Sequence, residues 1–222
     1  MKSKYLIFDS GPLINFSMNG VLHLLDKLKK EFRGEFVITK EVKKEIIERP
    51  INIKRFKLGA LQLKNLFEKG VIKHAPINNE QVNELRKIRN KLMEIANTTF
   101  EAKNRKLHLI DKGEAAALAL SRILNNAPIV IDERTTRMLV ENPENLRKLF
   151  EKKLHTKVRT NKKNYKFFKD FKIIRSTELI YIAYKKRLFN LKYPETYEAM
   201  LYGMKYKGCS VSEKEIDEMK RL

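Results

Sequence analysis

Short apolar runs alternate with amphipathic stretches along most of the chain. The runs at residues 4–8, 35–38 and 128–131 have the length and composition of buried strands, and the stretches after them repeat apolar residues at helical spacing. A run at 71–76 ends in proline, and residues 171–174 resemble a last strand. This alternation is typical of a mostly parallel sheet with helices on both faces. The pattern therefore predicts an α/β fold with three layers, α-β-α.

Helix starts carry recognisable capping signals. Thr39 stands where a side chain can cap the helix after the second strand. Asp111 and Glu114 have the D-x-x-E spacing of a capping box and open an Ala- and Leu-rich helix. Ser212 and Glu215 repeat this spacing near the end of the chain. These signals predict helices at three defined positions.

Two segments interrupt the regular alternation. Residues 78–106 are charged and apolar only at wide spacing, which predicts a helical arm with a break near Asn97. Residues 142–170 form a basic insertion. We expect a single domain, 1–222, with a core built from 1–77, 107–141 and 171–190 and followed by C-terminal helices at 191–222.

The charge of the chain points to a polyanionic partner. Its 222 residues include 48 Lys and Arg against 27 Asp and Glu, which gives a formal net charge of +21. Twelve of the cations lie between Arg147 and Arg175, against only Glu151 and Asp170. Nucleic acid is the commonest large polyanion in a cell, so we expect it as the partner.

Cysteine and apolar content narrow the class of protein further. The single Cys209 excludes an internal disulfide and a cysteine-rich metal site, which favours a reducing compartment. No run reaches the roughly 18 apolar residues that a membrane span needs, and the first apolar run is too short for a signal peptide. We therefore expect a cytoplasmic protein without a membrane partner.

Several enzyme classes lack their characteristic residues. The four histidines share no metal-ligand spacing, so no zinc site is predicted. A G-x-S-x-G elbow, a Walker A lysine loop and a G-x-G-x-x-G turn are all missing from the sequence. Serine hydrolases, nucleoside triphosphatases and dinucleotide-binding enzymes are thereby disfavoured.

Four acidic residues are placed where a parallel sheet can bring them together. Asp9 and Asp132 each follow a predicted strand, Glu45 lies in the helix after the second strand, and Glu114 lies at a helix start. Polar groups that follow parallel strands gather outside the carboxyl ends of those strands. We therefore expect Asp9 and Asp132 to face one site although they are far apart in the chain.

Each acid also has a purely structural interpretation. Asp9 and Asp132 stand where they can cap the helices that follow them. Glu114 can be the returning half of the capping box. Glu45 shares a solvated stripe with Glu41 and Glu48, so any one of the three could be the residue that faces the site.

The four acids taken together favour a metal site. Clustered carboxylates repel one another and raise one another's pKa unless a cation neutralises them. Carboxylate oxygens suit Mg²⁺ or Mn²⁺. Such ions activate water and stabilise the leaving oxygen in phosphodiester hydrolysis. An acidic pocket on a basic protein is the arrangement expected of a metal-dependent nuclease.

Four ordered motifs resemble those of the PIN-domain family, whose fold is a ribonuclease fold. They are Y-L-I-F-D-S-G-P-L-I, V-I-T-K-E-V-K-K-E-I-I, L-I-D-K-G-E-A-A-A-L-A-L and I-V-I-D-E-R-T-T-R. The resemblance covers residues 4 to about 140 and, more weakly, 171–215. It is greatest to a predicted nucleic-acid-binding branch, archaeal in character, that carries a G-E-A motif.

The resemblance implies a ligand set. It places the four family acids at Asp9, Glu45, Glu114 and Asp132, as the catalytic residues and the ligands of Mg²⁺ or Mn²⁺. It places Ser10 and Arg137 in supporting positions. It also implies that the chain can form a homodimer or pair with an antitoxin protein.

Two positions depart from the pattern of the family. Many members have Asp as the third acid, where this chain offers Glu114 with Asp111 as a competitor. A Thr or Ser often precedes the fourth acid, where this chain has Ile131. Neither change removes a carboxylate.

The basic insertion contains a candidate nucleic-acid surface. Cations and an aromatic ring alternate there, at Arg159, Lys162, Lys163, Tyr165 and Lys166. Such a segment offers phosphate contacts beside a stacking surface. The alternative is a flexible, solvated loop.

The sequence thus predicts a Mg²⁺- or Mn²⁺-dependent endoribonuclease that acts on RNA, with DNA as an alternative substrate. Two other hypotheses remain open. One is a catalytically weak module of the same fold that binds RNA during RNA processing. The other is the toxin of a toxin–antitoxin pair.

Overall fold

A five-stranded parallel sheet forms the centre of the molecule. The computed structural model describes residues 4–222. Strands are numbered β1–β8 in chain order, and those of the central sheet are β1 (Tyr5–Phe8), β2 (Glu35–Ile38), β3 (Ile72–His74), β6 (Ile129–Val130) and β8 (Ile173–Ile174). Their order is β3-β2-β1-β6-β8, and every neighbouring pair is parallel.

Helices flank this sheet on both faces. Within residues 4–222 the α-helices are α1 (Ser10–Met18), α2 (His23–Phe32), α3 (Lys40–Lys43), α4 (Lys57–Glu68), α5 (Asn79–Asn97), α6 (Lys112–Ile123), α7 (Arg134–Glu141), α8 (Pro143–Leu154), α9 (Ser176–Lys185), α10 (Thr196–Tyr206) and α11 (Glu213–Arg221). A π-helical turn, Lys44–Glu48, follows α3 directly, and 3₁₀ turns occupy Pro50–Asn52 and Lys162–Phe167. None of the helices in this part of the chain combines the length and the apolar character that a bilayer span requires.

The strand side chains divide the interior into two cores. Leu6 and Phe8 pack in a core with residues of α1, α2, α9 and α10, whereas Ile7 and Ile129 pack in a second core with residues of α5 and α6. Successive strand residues point to opposite faces of a sheet, so alternate residues of β1 enter different cores. The predicted three-layer α-β-α architecture is confirmed.

A second, smaller sheet joins the arm to the basic insertion. It consists of β4 (Phe100–Ala102), β5 (Arg105–Lys106) and β7 (Val158–Thr160), paired antiparallel in the order β5-β4-β7. Lys103 and Asn104 have φ of 49° and 59°, which forms the tight turn between β4 and β5. Within the predicted helical arm, the helix therefore ends at Asn97, and the last part of the arm is a β-hairpin. Strands of two or three residues are too short to show a period-two pattern.

The basic insertion is folded, contrary to the flexible-loop alternative. Phe168 is fully buried in the second core. The ring of Tyr165 packs edge-on against Phe100, with 6.2 Å between ring centroids. The side chain of Asn164 donates to the carbonyl of Ile95 at 3.2 Å, which ties the 3₁₀ turn to α5. The arm and the insertion form one subassembly beside the central sheet.

Strand order brings the two predicted strand-end acids together. β1 and β6 are neighbours, with Phe8 opposite Val130. Asp9 follows β1 directly and Asp132 lies two residues beyond β6, so both lie at the carboxyl edge of the sheet. This edge is the expected ligand-binding position of an open parallel sheet.

Candidate active site

A small cavity opens at the carboxyl ends of β1 and β6. Its volume is about 270 Å³. Its lining includes four acids that could bind a cation and one hydroxyl group. These residues are Asp9, Ser10, Asp111, Glu114 and Asp132. Of the four acids predicted from the sequence, three line this cavity. The fourth, Glu45, lies beside it in a larger groove whose lining also includes Asp111.

Asp9 is a buried carboxylate with an oxygen that lacks a partner. It precedes α1, yet its side chain makes no hydrogen bond that caps the helix. Its Oδ1 has no hydrogen-bond partner within residues 4–222, and the residue is 5% exposed. Burial raises the pKa of Asp9 to about 7; the backbone of Ser10 and Gly11 opposes this rise, and the charge of Glu45 adds to it. Asp9 therefore does not cap α1 with a side-chain hydrogen bond.

Glu114 is both a capping residue and a wall of the cavity. Its Oε2 accepts from the backbone N–H of Asp111 at 2.8 Å, and Asp111 Oδ1 accepts from Gly113 N and Glu114 N. The predicted capping box is confirmed. Burial raises the pKa of Glu114 to about 8, against the lowering effect of its hydrogen bond to Asp111, and the charge of Asp9 contributes to the rise. The cap fixes the position of the carboxyl group without removing it from the cavity.

Glu45 approaches the start of α6 from the π-helical turn. A Cβ added at Gly113 would lie 3.0 Å from Glu45 Oε1, so the missing side chain makes room for this carboxylate. Burial raises the pKa of Glu45, while the hydrogen bond from the Ser10 hydroxyl lowers it and the charge of Asp111 raises it. π-Helical turns occur frequently at functional sites. Ser10 thus lies beside Glu45 and stabilises its ionised form.

The neighbouring acids of Glu45 are occupied elsewhere. Glu41 Oε1 forms an ion pair with Arg89 at 2.6 Å. Glu48 forms an ion pair with Lys43 at 3.7 Å. Of the three acids that the sequence left open, Glu45 is the one that lies beside Ser10 and Asp111.

Asp132 differs from the other acids because its oxygens are fully engaged. Oδ2 accepts from Asn15 Nδ2 and from Ser176 Oγ, both at 2.5 Å, and Oδ1 accepts from Ser176 N at 2.8 Å. The cap of α7 is supplied by Glu133, which accepts from the backbone N–H of Thr136. Asp132 therefore does not cap α7, but joins β6 to α1 and α9.

Sequence reasoning missed Asn15 and Ser176. Asn15 is only 2% exposed and stands among apolar residues of α1, where a polar side chain needs a buried partner. A polar residue at this otherwise apolar position was the signal in the sequence that could have identified Asn15. Ser176 opens α9 and gives no signal of its own, because serine is ordinary at a helix start.

The predicted supporting cation lies away from the cavity. The guanidinium of Arg137 donates to Glu141 at 3.1 Å and to the carbonyl of Ser210 at 3.3 Å. It is not part of the cavity lining. In this arrangement Arg137 anchors the chain segment that covers Asp132, whose carbonyl accepts from Ser210 N.

The five basic-insertion residues lie on another part of the surface. Arg159 pairs with Glu101 at 3.6 Å, and Lys162 pairs with Glu144 at 3.2 Å. Tyr165 is held by its ring contact and by hydrogen bonds through its hydroxyl. Lys163 and Lys166 are exposed. The structure brings none of the five to the acidic cavity.

The carboxylates are close but are not arranged as a finished metal cage. Within the described part of the chain, no group of three or more His, Cys, Asp or Glu side chains is placed to hold a metal ion. The hydrogen bonds of Glu114 and Asp132 turn several oxygens toward protein donors. The donor set nevertheless fits a divalent cation, since its oxygen atoms are hard ligands and Asp9 Oδ1 has no other partner.

Comparison with known proteins gives one match. A family model described as a PIN domain matches residues 5–144, which include all four predicted acids. Neither the curated proteins nor the solved structures gave a match.

Replacement of Asp9 should stabilise the metal-free protein at alkaline pH. The pKa of Asp9 is about 7 in the folded protein against an ordinary value of 3.8, so the folded state keeps its proton to a higher pH. The free energy of unfolding therefore falls as pH rises from about 4 to 7, by an amount on the order of 4 kcal/mol. Asp9→Asn removes this loss. In chelator at pH 8 we expect its Tm to exceed that of the native chain by several degrees, measured by circular dichroism. A lower Tm than native would contradict the assignment.

Replacement of Asp132 should have the opposite effect. Asp132→Asn loses charge-assisted hydrogen bonds to Asn15 and Ser176, and we expect a loss of about 2 kcal/mol of unfolding free energy at any pH from 6 to 8. The exposed Asp217 provides a matched control, because Asp217→Asn changes the same groups outside the core. Denaturant melts of the two variants measure the difference. Equal stability of both would show that the Asp132 bonds contribute little.

Proposed function

The chain belongs to the PIN-domain family, and on this basis we propose that it is a Mg²⁺- or Mn²⁺-dependent endoribonuclease. PIN domains have a nuclease-like fold, which accounts for the general class of the protein. One observation carries the finer proposal: Asp9, Glu45 and Glu114 approach one another at the carboxyl edge of the sheet, and burial raises the pKa of each. A divalent cation would relieve the cost of ionising them together.

We assign the metal ligands to Asp9, Glu45, Glu114 and Asp132, with Asp111 as an additional oxygen donor. Asp9 would bind through Oδ1, the atom without a partner. Asp132 keeps its hydrogen bonds to Asn15 and Ser176, which fix its orientation. A bound divalent ion activates water and neutralises charge on the phosphodiester.

The remaining residues of the site orient these ligands. Ser10 donates its hydroxyl to Glu45, and the N–H of Asp111 donates to Glu114 Oε2. Because three of the carboxyls, those of Asp9, Glu45 and Glu114, carry raised pKa values, protons leave them when the cation binds, so metal affinity should increase with pH. Lys207 lines the mouth of the cavity and is exposed, so its ammonium group can contact a phosphate there.

Cleavage should depend on both the metal and Asp9. With end-labelled single-stranded and structured RNA, we expect products in Mn²⁺ or Mg²⁺ and none in chelator. Asp9→Asn should reduce cleavage by about 100-fold or more, because it removes the unpartnered carboxylate oxygen. The exposed Asp217→Asn variant should cleave like the native chain. RNA that is bound but never cut would favour the weak-binding alternative, and products in chelator would contradict a metal-dependent reaction.

Gly113→Ala should impair turnover without loss of stability. The added Cβ would lie 3.0 Å from Glu45 Oε1 and displace that carboxylate, whereas alanine is a good helix residue. We expect kcat to fall about 10-fold while RNA affinity in chelator stays unchanged. Gly59→Ala in α4 is the matched control, because its Cβ would also lie 3.0 Å from a side-chain oxygen, that of Ser17, outside the site. An unchanged kcat would indicate that the position of Glu45 is unimportant.

A further inference from the structure

A larger groove lies beside the acidic cavity. Its volume is about 710 Å³, with α3 and the π-helical turn on one side and α5 on the other. Its floor includes the carboxyl ends of β2 and β3 and the first residues of α6. Asp111 lines both the groove and the cavity, and Glu45 lines the groove. The groove therefore leads directly to the carboxylates.

The groove is rich in cations that are free to bind an anion. Five exposed basic residues line it, namely Lys40, Lys44, Arg49, Arg86 and Lys112. Within residues 4–222 no ion pair joins any of the five to a carboxylate, although the charge of Arg49 acts on Glu45. The sixth, Arg89, is the one that neutralises Glu41. In the basic insertion, by contrast, Arg159 and Lys162 are already paired.

The remaining lining favours contact with a nucleic-acid backbone over stacking on bases. Among the described residues that line the groove, His74 carries the single aromatic ring, and that ring packs edge-on against Phe67 at 5.1 Å. Ile77 and Val82 offer small apolar surfaces on the α5 side. Cations that lack a neighbouring stacking surface contact the phosphates and not the bases. Binding should therefore show little base preference.

We propose that this groove binds the phosphodiester backbone of a single RNA strand and guides it to the acidic cavity. The inference rests on the proposed nuclease function, because it names the substrate path to that same site. Five residues of α5 line the groove, and two of them are arginines, which suits one strand tracked by its phosphates. The basic insertion, which the sequence favoured, is then a secondary surface.

The test measures RNA binding without cleavage. Asp9→Asn protein in chelator is titrated against a fluorescein-labelled single-stranded RNA of about 12 nucleotides, and anisotropy is recorded at several salt concentrations. Lys44→Gln combined with Arg86→Gln should weaken binding about 10-fold and reduce the salt slope by about 1.4, because each lost phosphate contact accounts for about 0.7 on a single strand. A duplex of the same sequence should bind more weakly than the single strand.

A matched control loses the same charge elsewhere. Lys69→Gln combined with Lys214→Gln removes two exposed lysines that line neither the groove nor the cavity. This control should change affinity much less than the groove pair does. A comparison pair, Lys163→Gln with Lys166→Gln, measures the basic insertion and should also have the smaller effect. Equal or larger losses in either of these pairs, or tighter binding of the duplex, would overturn the groove assignment.

The outcome can be separated from that of the nuclease proposal. If native protein yields no metal-dependent products but the groove pair still loses affinity, the groove binds RNA and the nuclease assignment fails. If native protein cleaves RNA and the groove pair binds normally, the groove assignment alone fails. Because the substituted side chains are exposed, unchanged Tm values verify that the variants are folded.

Discussion

The free-energy cost of burying carboxylates is the constraint on which the site depends. Asp9, Glu45 and Glu114 come from three different elements and meet at the sheet edge. Burial is the main cause that raises the pKa of each, and the charge of neighbouring carboxylates adds to it. Ionising such a group costs free energy, and the protein tolerates that cost because its two cores stabilise the rest of the molecule. In the proposed nuclease, a bound divalent cation would lower the free-energy cost of ionising these carboxylates together.

The acids of the site differ in the hydrogen bonds that they accept. Asp132 satisfies its oxygens through Asn15 and Ser176 and so joins the sheet to helices far apart in sequence. Glu114 uses one oxygen to cap α6, while Asp9 leaves Oδ1 without a partner. The donors around each acid thus differ. Asp132 joins distant segments, Glu114 caps a helix, and Asp9 keeps an oxygen without a partner among residues 4–222.

The centre of the site is acidic, and basic residues lie close around it. The chain carries +21, yet the centre of the site is acidic and the free cations lie along the groove that reaches it. In the proposed RNA path, the groove attracts a polyanion at long range, whereas the carboxylates alone would repel its phosphates. A cation in the cavity would complete a positive path for the backbone.

The sequence by itself determined the layer architecture and most helix starts, because these depend on local periodicity and capping. The positions of Asp9 and Asp132 just after strands could be predicted from the sequence for the same reason. Tertiary structure decided which glutamate of the helix after β2 faces the site: Glu41 and Glu48 form ion pairs with Arg89 and Lys43, whereas Glu45 lies beside Ser10. It also decided the hairpin after α5, the anchoring of Asp132 and which cations line the groove. Those features arise from contacts between distant segments, and no local pattern in the chain encodes which segments will meet.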